Sequence, residues 1–298
     1  MSTSMVPEPV IGIIGGSGLY EIEGLTDTNW QMVESPFGKP SDEFLFGTFN
    51  GLKVVFCPRH GRGHVTPPSE VNFRANIDAL KRAGVTEIIA VSAVGSLREG
   101  LPPGKFVFVD QFIDNTFARQ KSFFSRGLVS HVSMAEPVCD RMNSILAESA
   151  TELGIDNVRG GTMLVMEGPQ FSTKAESELF RSWGCDIICM TSMPEAKLAR
   201  EAEMCYANVA MVTDYDCWHA GYDNVTVEQV ISAVKENADK AVDLICAVLP
   251  KLAKRTTLCD RGCHTALDEA VQTAPDYRSA ERLRNLGAIT ARFMSAEH

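Results

Sequence analysis

A chain of 298 residues, 45% of them apolar and 22% charged, can bury a large core and has the make-up of an ordinary globule. Its 28 Lys and Arg stand against 38 Asp and Glu, a net charge of -10. That balance argues against nucleic-acid or anionic-membrane partners, which need a basic surface, but leaves a small anionic ligand open, since only local charge matters there. No apolar run approaches the ~20 residues of a membrane span, and "MSTSMVPEPV" lacks the basic start and apolar middle of a secretory signal, so a cytoplasmic location is expected.

In chain order, "PVIGIIGG" reads as a first strand running into the glycine-rich "GIIGGSGLY", and "LKVVFCPR" as a second. A helical pattern, "SEVNFRANIDALKRAG", precedes strands at "TEIIAVSAVGS" and "KFVFVDQFI". Helix "AEPVCDRMNSILAESATELG", strand "GTMLVMEG", helix "STKAESELFRSWG", strand "CDIICMTSMPE", helix "PEAKLAREAEMCYA" and strand "ANVAMVTDY" follow, then the long helix "TVEQVISAVKENADKAVDLICAVLPKLAK". The strands are rich in Val, Ile, Phe and Met on both faces, as strands covered on each side must be. Thr173 with Glu176 and Thr226 with Gln229 have capping-box spacing. Pro194 sits where a first turn tolerates it, and Gly84, Gly154 and Gly184 follow helices as stops. This alternation predicts an α/β fold: one domain over 1–298 with a central mixed, largely parallel sheet flanked by helices. The polar, helical segment 255–298 is expected to pack as a terminal appendage or against another subunit.

Of nine Cys, seven are scattered through apolar segments, where reduced thiols act as small hydrophobes. The exception is "CDRGCH", Cys259 to His264. Its spacing suits a metal or a disulfide, but with no second Cys pair nearby and at most three side-chain ligands from this segment, zinc is not expected, and no metal is assigned.

Candidate chemistry gathers at strand ends. In "GIIGGSGLY", glycines around Ser17 let backbone N–H groups turn toward an anion; the spacing is not a convincing dinucleotide fingerprint and lacks the P-loop Lys, and a plain tight turn is the alternative. "PRHGRGH" puts Arg59, His60, Arg62 and His64 together, groups that repel one another unless solvated or neutralised by an anion. The arginine fork and the strand-end position favour phosphate. Ser92, Ala93 and Thr191 offer small donors at comparable positions, although Ser and Thr there often only cap a turn. Phe171, in "MEGPQFSTKAE", is core or a flat face for a ring; Met190 is core or lines a sugar pocket; His131 lies in an irregular segment. "VTDYDCW" places Asp214 and Asp216 at the end of a buried strand with Tyr215 between them, a costly place for charge unless the pair sits in water or grips a ligand.

In chain order, "IGIIGGSGLY", "PFGKPSD", "RHGRGH", "NFRANIDALK", "GSLRE", "DQFIDNT", "MAEP", "EGPQFSTKAES", "TSMPEAKLAREAEMCYA" and "TDYDCW" resemble the 5'-methylthioadenosine phosphorylases of the trimeric purine nucleoside phosphorylase family. The resemblance covers roughly residues 10 to 250 and is weakest from Cys259 onward. It implies attack of inorganic phosphate on the anomeric carbon of methylthioadenosine, releasing adenine and 5-methylthioribose 1-phosphate, with phosphate as co-substrate and no cofactor. It implies phosphate contacts at Ser17, Arg59, His60, Ser92, Ala93 and Thr191, with Met190 at the ribose and Phe171 at sugar and base. It places Ser172 and Val227 where substrate choice is set, and Val230 and Ile231 at the apolar 5' end. His131 would reach in from a neighbouring subunit of a homotrimer, or of a hexamer built by doubling it. Adenine presents an amine that donates and an N7 that must gain a proton. One carboxylate, Asp214, can accept from the amine while the other, Asp216, kept protonated, serves N7. Two aspartates favour adenine over a 6-oxopurine. The alternatives are a methylthioinosine or general purine nucleoside phosphorylase and, from another class, a non-catalytic purine nucleoside sensor.

Overall fold

Strands apolar at consecutive positions are stable only where both sheet faces are covered, and the protein builds the centre of its sheet from such strands. A computed structural model describes residues 8–16, 19–20, 22–221 and 226–296. The strands are β1 (Ile11–Gly15), β2 (Leu25–Gln31), β3 (Phe44–Phe49), β4 (Leu52–Pro58), β5 (Glu87–Ser96), β6 (Phe106–Phe108), β7 (Gln111–Asn115), β8 (Asn157–Arg159), β9 (Thr162–Met166), β10 (Ile187–Cys189) and β11 (Cys205–Asp214). They form one mixed, largely parallel sheet in the order β2-β3-β4-β1-β5-β10-β9-β7, with β11 beside β5 and β6, and β8 beside β6. β5 is the hub: parallel to β1 along Glu87–Ala90, parallel to β11 from Glu87 to Gly95, and antiparallel to β10 at its last two residues.

The helices are α1 (Phe73–Arg82), α2 (Asp140–Glu152), α3 (Lys174–Ser182), α4 (Ser192–Glu201), α5 (Val227–Ala253), α6 (Ala280–Asn285) and α7 (Gly287–Ala296). One core joins the sheet to α1, α4 and α7 through Ile77, Leu80, Leu198, Ile289 and Phe293. The other joins it to α2 and α5 through Met142, Leu146, Leu244, Val248 and Leu249. The segment after 254 feeds both cores, with Leu267, Leu286, Ile289 and Phe293 in the first and Cys259 and Cys263 in the second. Among the described residues no helix is long and apolar enough to cross a membrane.

The signals at α3 and at three helix stops act as the sequence implies. The Thr173 hydroxyl accepts from the Glu176 amide while the Glu176 carboxylate accepts from the Thr173 amide, closing the box that starts α3. Gly84, Gly154 and Gly184 take left-handed φ values of 84°, 70° and 79° just past α1, α2 and α3. Gln111 and its neighbours depart from expectation. "KFVFVDQFI" is two strands, because β6 pairs with β11 and β8 whereas β7 pairs with β9. β2 and β3 were not expected: β2 is a polar, mostly exposed edge strand without apolar alternation, whereas β3, "FLFGTF", is an apolar run that the sequence reading passed over. The view that "CDRGCH" has no second cysteine pair nearby is also corrected. Cys139 at the start of α2 and Cys205 at the start of β11 come alongside Cys259 and Cys263, a juxtaposition that sequence distance conceals.

Candidate active site

The site follows β5. At one end, Arg59, the residue after β4, turns its guanidinium inward and donates from Nη1 to the Val91 carbonyl at 3.0 Å. It is buried and held by Glu195 of α4, with Nε to Oε2 at 2.8 Å and Nη2 to Oε1 at 3.2 Å. The Tyr206 hydroxyl donates to the same Oε1 at 2.9 Å. The crowding of cations at "RHGRGH" is therefore relieved by the protein's own carboxylates. Asp42 and Glu43 hold Arg62, as Glu195 holds Arg59. His60 escapes by staying neutral: burial, with the Arg59 charge beside it, pushes its pKa down to about 4. Its Nδ1 lies 2.8 Å from the Thr66 carbonyl, so that nitrogen carries the proton and Nε2 is left as an acceptor. The His60 ring stacks on His64 at 4.3 Å.

Ser92 and Ala93 follow on β5, opposite Ala210 and Met211 of β11. Asn208 of β11 donates from Nδ2 to the Ser92 and Ser192 hydroxyl oxygens, each at 3.2 Å, which draws β5 and the start of α4 together. The Ser92 oxygen accepts, so its own O–H remains for a ligand. Thr191 is the N-cap of α4 but its hydroxyl makes no capping bond. Arg119 braces the adjoining loop, donating to the Met190 and Met193 carbonyls while ion-paired to buried Glu167.

The other end of β5 meets the two aspartates. Asp214 pairs in register with Gly95, whose missing side chain leaves room: a Cβ there would lie 2.9 Å from Asp214 Oδ1 and 3.5 Å from the Asp216 Cβ. Asp214 accepts from the Thr213 hydroxyl and the Asp216 amide, both at 2.7 Å. Burial raises its pKa, these bonds oppose the rise, and the Asp216 charge adds to it. Asp216 is 6% exposed, with φ at 51°, and its Oδ2 has no hydrogen-bond partner among the described residues. Burial raises its pKa too; the Ser177 and Ser172 hydroxyls work the other way, and the Glu176 charge adds to the rise. Tyr215 and Trp218 pin this loop, Tyr215 Oη donating to the Glu99 carbonyl at 3.1 Å and Trp218 Nε1 to that of Ser96 at 2.8 Å. The Cys217 thiol donates to the Ser172 carbonyl, tying in the segment that carries Phe171, 41% exposed. Met190 packs so closely on Gly168 that a Cβ there would strike its sulfur at 2.6 Å.

From Val91, which receives Arg59, to Gly95, which faces the aspartates, is about 13 Å of extended strand. The structure thus brings Arg59, His60, Ser92, Ala93, Met190, Thr191, Phe171, Ser172, Asp214, Tyr215 and Asp216 around one stretch of the central strand β5 and the segments next to it. Ser17 lies outside the described residues. Val227 and Ile231 are exposed and Val230 half-buried on the first turns of α5. His131 stands elsewhere, exposed, its amide bonded to the Ala270 carbonyl, on a cavity of about 400 Å³ shared with Lys121, Lys197 and Glu201.

A sequence model of the family described as Phosphorylase superfamily matches residues 10–250. The chain belongs to the phosphorylase superfamily. Among relatives in this superfamily, the S-methyl-5'-thioadenosine phosphorylase of Rhodospirillum rubrum is 59% identical over 287 residues, spanning 96% of this chain and 98% of its own. That of Cereibacter sphaeroides is 55% identical over 285 residues, spanning 96% and 98%. Among solved structures, a methylthioadenosine phosphorylase sourced from an Antarctic soil metagenomic library superposes with a TM-score of 0.89 at 45% identity, covering 95% of this chain and 99% of its own. A Schistosoma mansoni adenosine/methylthioadenosine phosphorylase variant in complex with methylthioadenosine gives 0.75 at 36% identity, covering 83% and 93%.

Glu195, Tyr206, Asn208 and Arg119 escaped the sequence reading of this phosphorylase chain. Tyr206 and Asn208 left a signal, since each interrupts an apolar strand and is buried. A polar group in such a place must have a partner. Glu195 and Arg119 left none, because their partners lie 136 and 48 residues away.

Proposed function

We propose that the site along β5 carries out phosphorolysis of 5'-methylthioadenosine, and that the chain is a pentosyltransferase releasing adenine and 5-methylthioribose 1-phosphate. The observation that carries this reading is the buried Asp216 Oδ2, without a hydrogen-bond partner among the described residues, set one strand-length from a cluster of anion donors. That span fits a purine, a ribose and one phosphate end to end. Asp214, whose two oxygens already accept hydrogen bonds, is the better ionised of the pair and takes the exocyclic amine. Asp216, with an oxygen buried and unbonded, is the one held protonated and faces N7.

At the anion end, the Ser92 and Thr191 hydroxyls supply donors to phosphate. Arg59 has one of its five N–H groups left after its bonds to Glu195, Val91 and Ile14. His60, neutral with a bare Nε2, accepts from a phosphate hydroxyl. Phosphate attacks the anomeric carbon as the bond to N9 breaks, the transition state is oxocarbenium-like, and the electrons entering the purine are met by the Asp216 proton at N7. Each group in this scheme is a side chain or phosphate itself, and the chemistry calls for no cofactor. Met190 and Phe171 line the sugar and base, and Ser17 completes the phosphate donors. Val227, Val230 and Ile231 form the apolar 5' wall with His131 of a neighbouring subunit in a homotrimer; the exposed apolar residues at the start of α5 support this. We place the enzyme in the cytoplasm as a single domain.

The test is whether adenine appears from methylthioadenosine only when phosphate is supplied. Release without phosphate would mean hydrolysis, and binding without release a sensor. Faster turnover of inosine or methylthioinosine than of methylthioadenosine would overturn the adenine assignment.

A further inference from the structure

Four of the nine cysteines meet at one point, beside the start of β11 and apart from the side chains gathered along β5. Cys139 is the N-cap residue of α2 and makes no side-chain cap bond; Cys205 opens β11; Cys259 and Cys263 flank the turn of "CDRGC". That turn closes with the Gly262 amide on the Cys259 carbonyl, Gly262 taking a φ of 67°. All four residues are buried, and their four sulfurs lie within 4.8 Å of one another. Cys259 Sγ is 3.5 Å from that of Cys139 and 3.4 Å from that of Cys263.

A zinc ion bound at about 2.3 Å by four thiolates has its sulfurs about 3.8 Å apart on every edge of a tetrahedron. The observed cluster has that size. The spacing of Cys259 and Cys263 falls within the two to four intervening residues typical of zinc ligands. An iron–sulfur cluster would set irons and sulfides between the thiolates and needs a wider cage. Two disulfides would call for two separate close pairs, whereas Cys259 is equally near a partner on either side. Cationic groups also surround the cluster. Arg200 Nη1 lies 3.2 Å from Cys263 Sγ, and Arg141 and Arg255 both bond to Glu87, which pairs in register with Cys205. Four thiolates around a divalent ion carry excess negative charge, and N–H donors to sulfur are the usual way that ligands are oriented and balanced.

We propose that Cys139, Cys205, Cys259 and Cys263 bind one zinc ion, which fastens the C-terminal segment to α2 and to the start of β11. With every position filled by protein, the site is structural and leaves none open for catalysis. Cys205 lies about 30 Å along β11 from Asp214 and about 13 Å from Val209, which pairs with the Val91 that receives Arg59, so the ion touches neither end of the site and takes no direct part in the nucleoside chemistry.

The full chain, purified under reducing, chelator-free conditions, should carry one zinc per subunit by elemental analysis. Protein produced on cobalt should show thiolate-to-metal charge transfer in the near ultraviolet and the intense visible bands of a tetrahedral ion. Cys263→Ser should lose the metal and those bands, while Cys246→Ser, outside the cluster, keeps them. Stripping the metal should lower the thermal midpoint by about 5–10 °C and leave turnover at permissive temperature within about twofold. Should Cys263→Ser not fold, elemental analysis and the cobalt spectrum of the unaltered chain still decide. A chain free of zinc and silent with cobalt, with every cysteine titratable after denaturation, overturns the proposal. So does a shortfall of four thiols in unreduced protein, which would mean disulfides.

Discussion

Asp216 sits on backbone that few residues accept, with φ at 51°, and this aims its carboxyl away from the β11 ladder that Asp214 still belongs to. Asp216→Asn keeps the shape and the left-handed backbone but cannot supply a carboxyl proton. It should lower kcat by about 10²- to 10⁴-fold with little change in KM, as steady-state assay with methylthioadenosine will read. Intact turnover would end the proton assignment. His60 makes a separate prediction through stability. Its folded pKa of about 4 lies below the ordinary 6.5, so between those values the unfolded chain binds the extra proton. Stability from this residue is complete above about pH 6.5 and drains away as pH falls toward 4, by up to about 3 kcal/mol. Denaturant midpoints measured across pH 4–7 should flatten in His60→Gln. Breaking the buried pair by Glu195→Gln strands the Arg59 charge and should cost about 3–5 kcal/mol in the same assay.

β5 is the element on which the site is laid out, and much of that could be read in advance. The apolar run "TEIIAVSAVGS" announced a central strand, and its serine and glycine marked where side chains give way to something else. The partners of that strand could not be read, because strand order is set by pairings across the whole chain. The aspartates and the "RHGRGH" run were visible as local oddities, but what neutralises Arg59 was not, since Glu195 comes from a helix far along the chain. At Gly95, Ala would drive a methyl to 2.9 Å from Asp214 Oδ1 and 3.0 Å from Ile188 Cγ2. Gly95→Ala should raise KM for methylthioadenosine by about tenfold or more while KM for phosphate moves much less, since only the base end is displaced. Equal change in both would mean that the strand itself had shifted.

Across the whole molecule, the C-terminal segment enters both cores, a role that its polar sequence conceals because its few apolar residues are widely spaced. Large apolar side chains remain exposed at Val65, Phe117, Phe171, Val227 and Ile231. Scattered ones are normal, but Phe171, Val227 and Ile231 are those assigned to the substrate, and a neighbouring subunit would cover them. Specific activity should therefore fall on dilution in step with loss of the proposed trimer in sedimentation; activity that persists in the monomer would show each subunit complete.

In the proposed scheme the Arg59 guanidinium meets phosphate already balanced by Glu195, with His60 uncharged beside it. An anion arriving there finds directed donors but little net field, so its capture should barely respond to added sodium chloride. Such a pocket sorts oxyanions by outline and proton count rather than by valence, and it would keep working in brine.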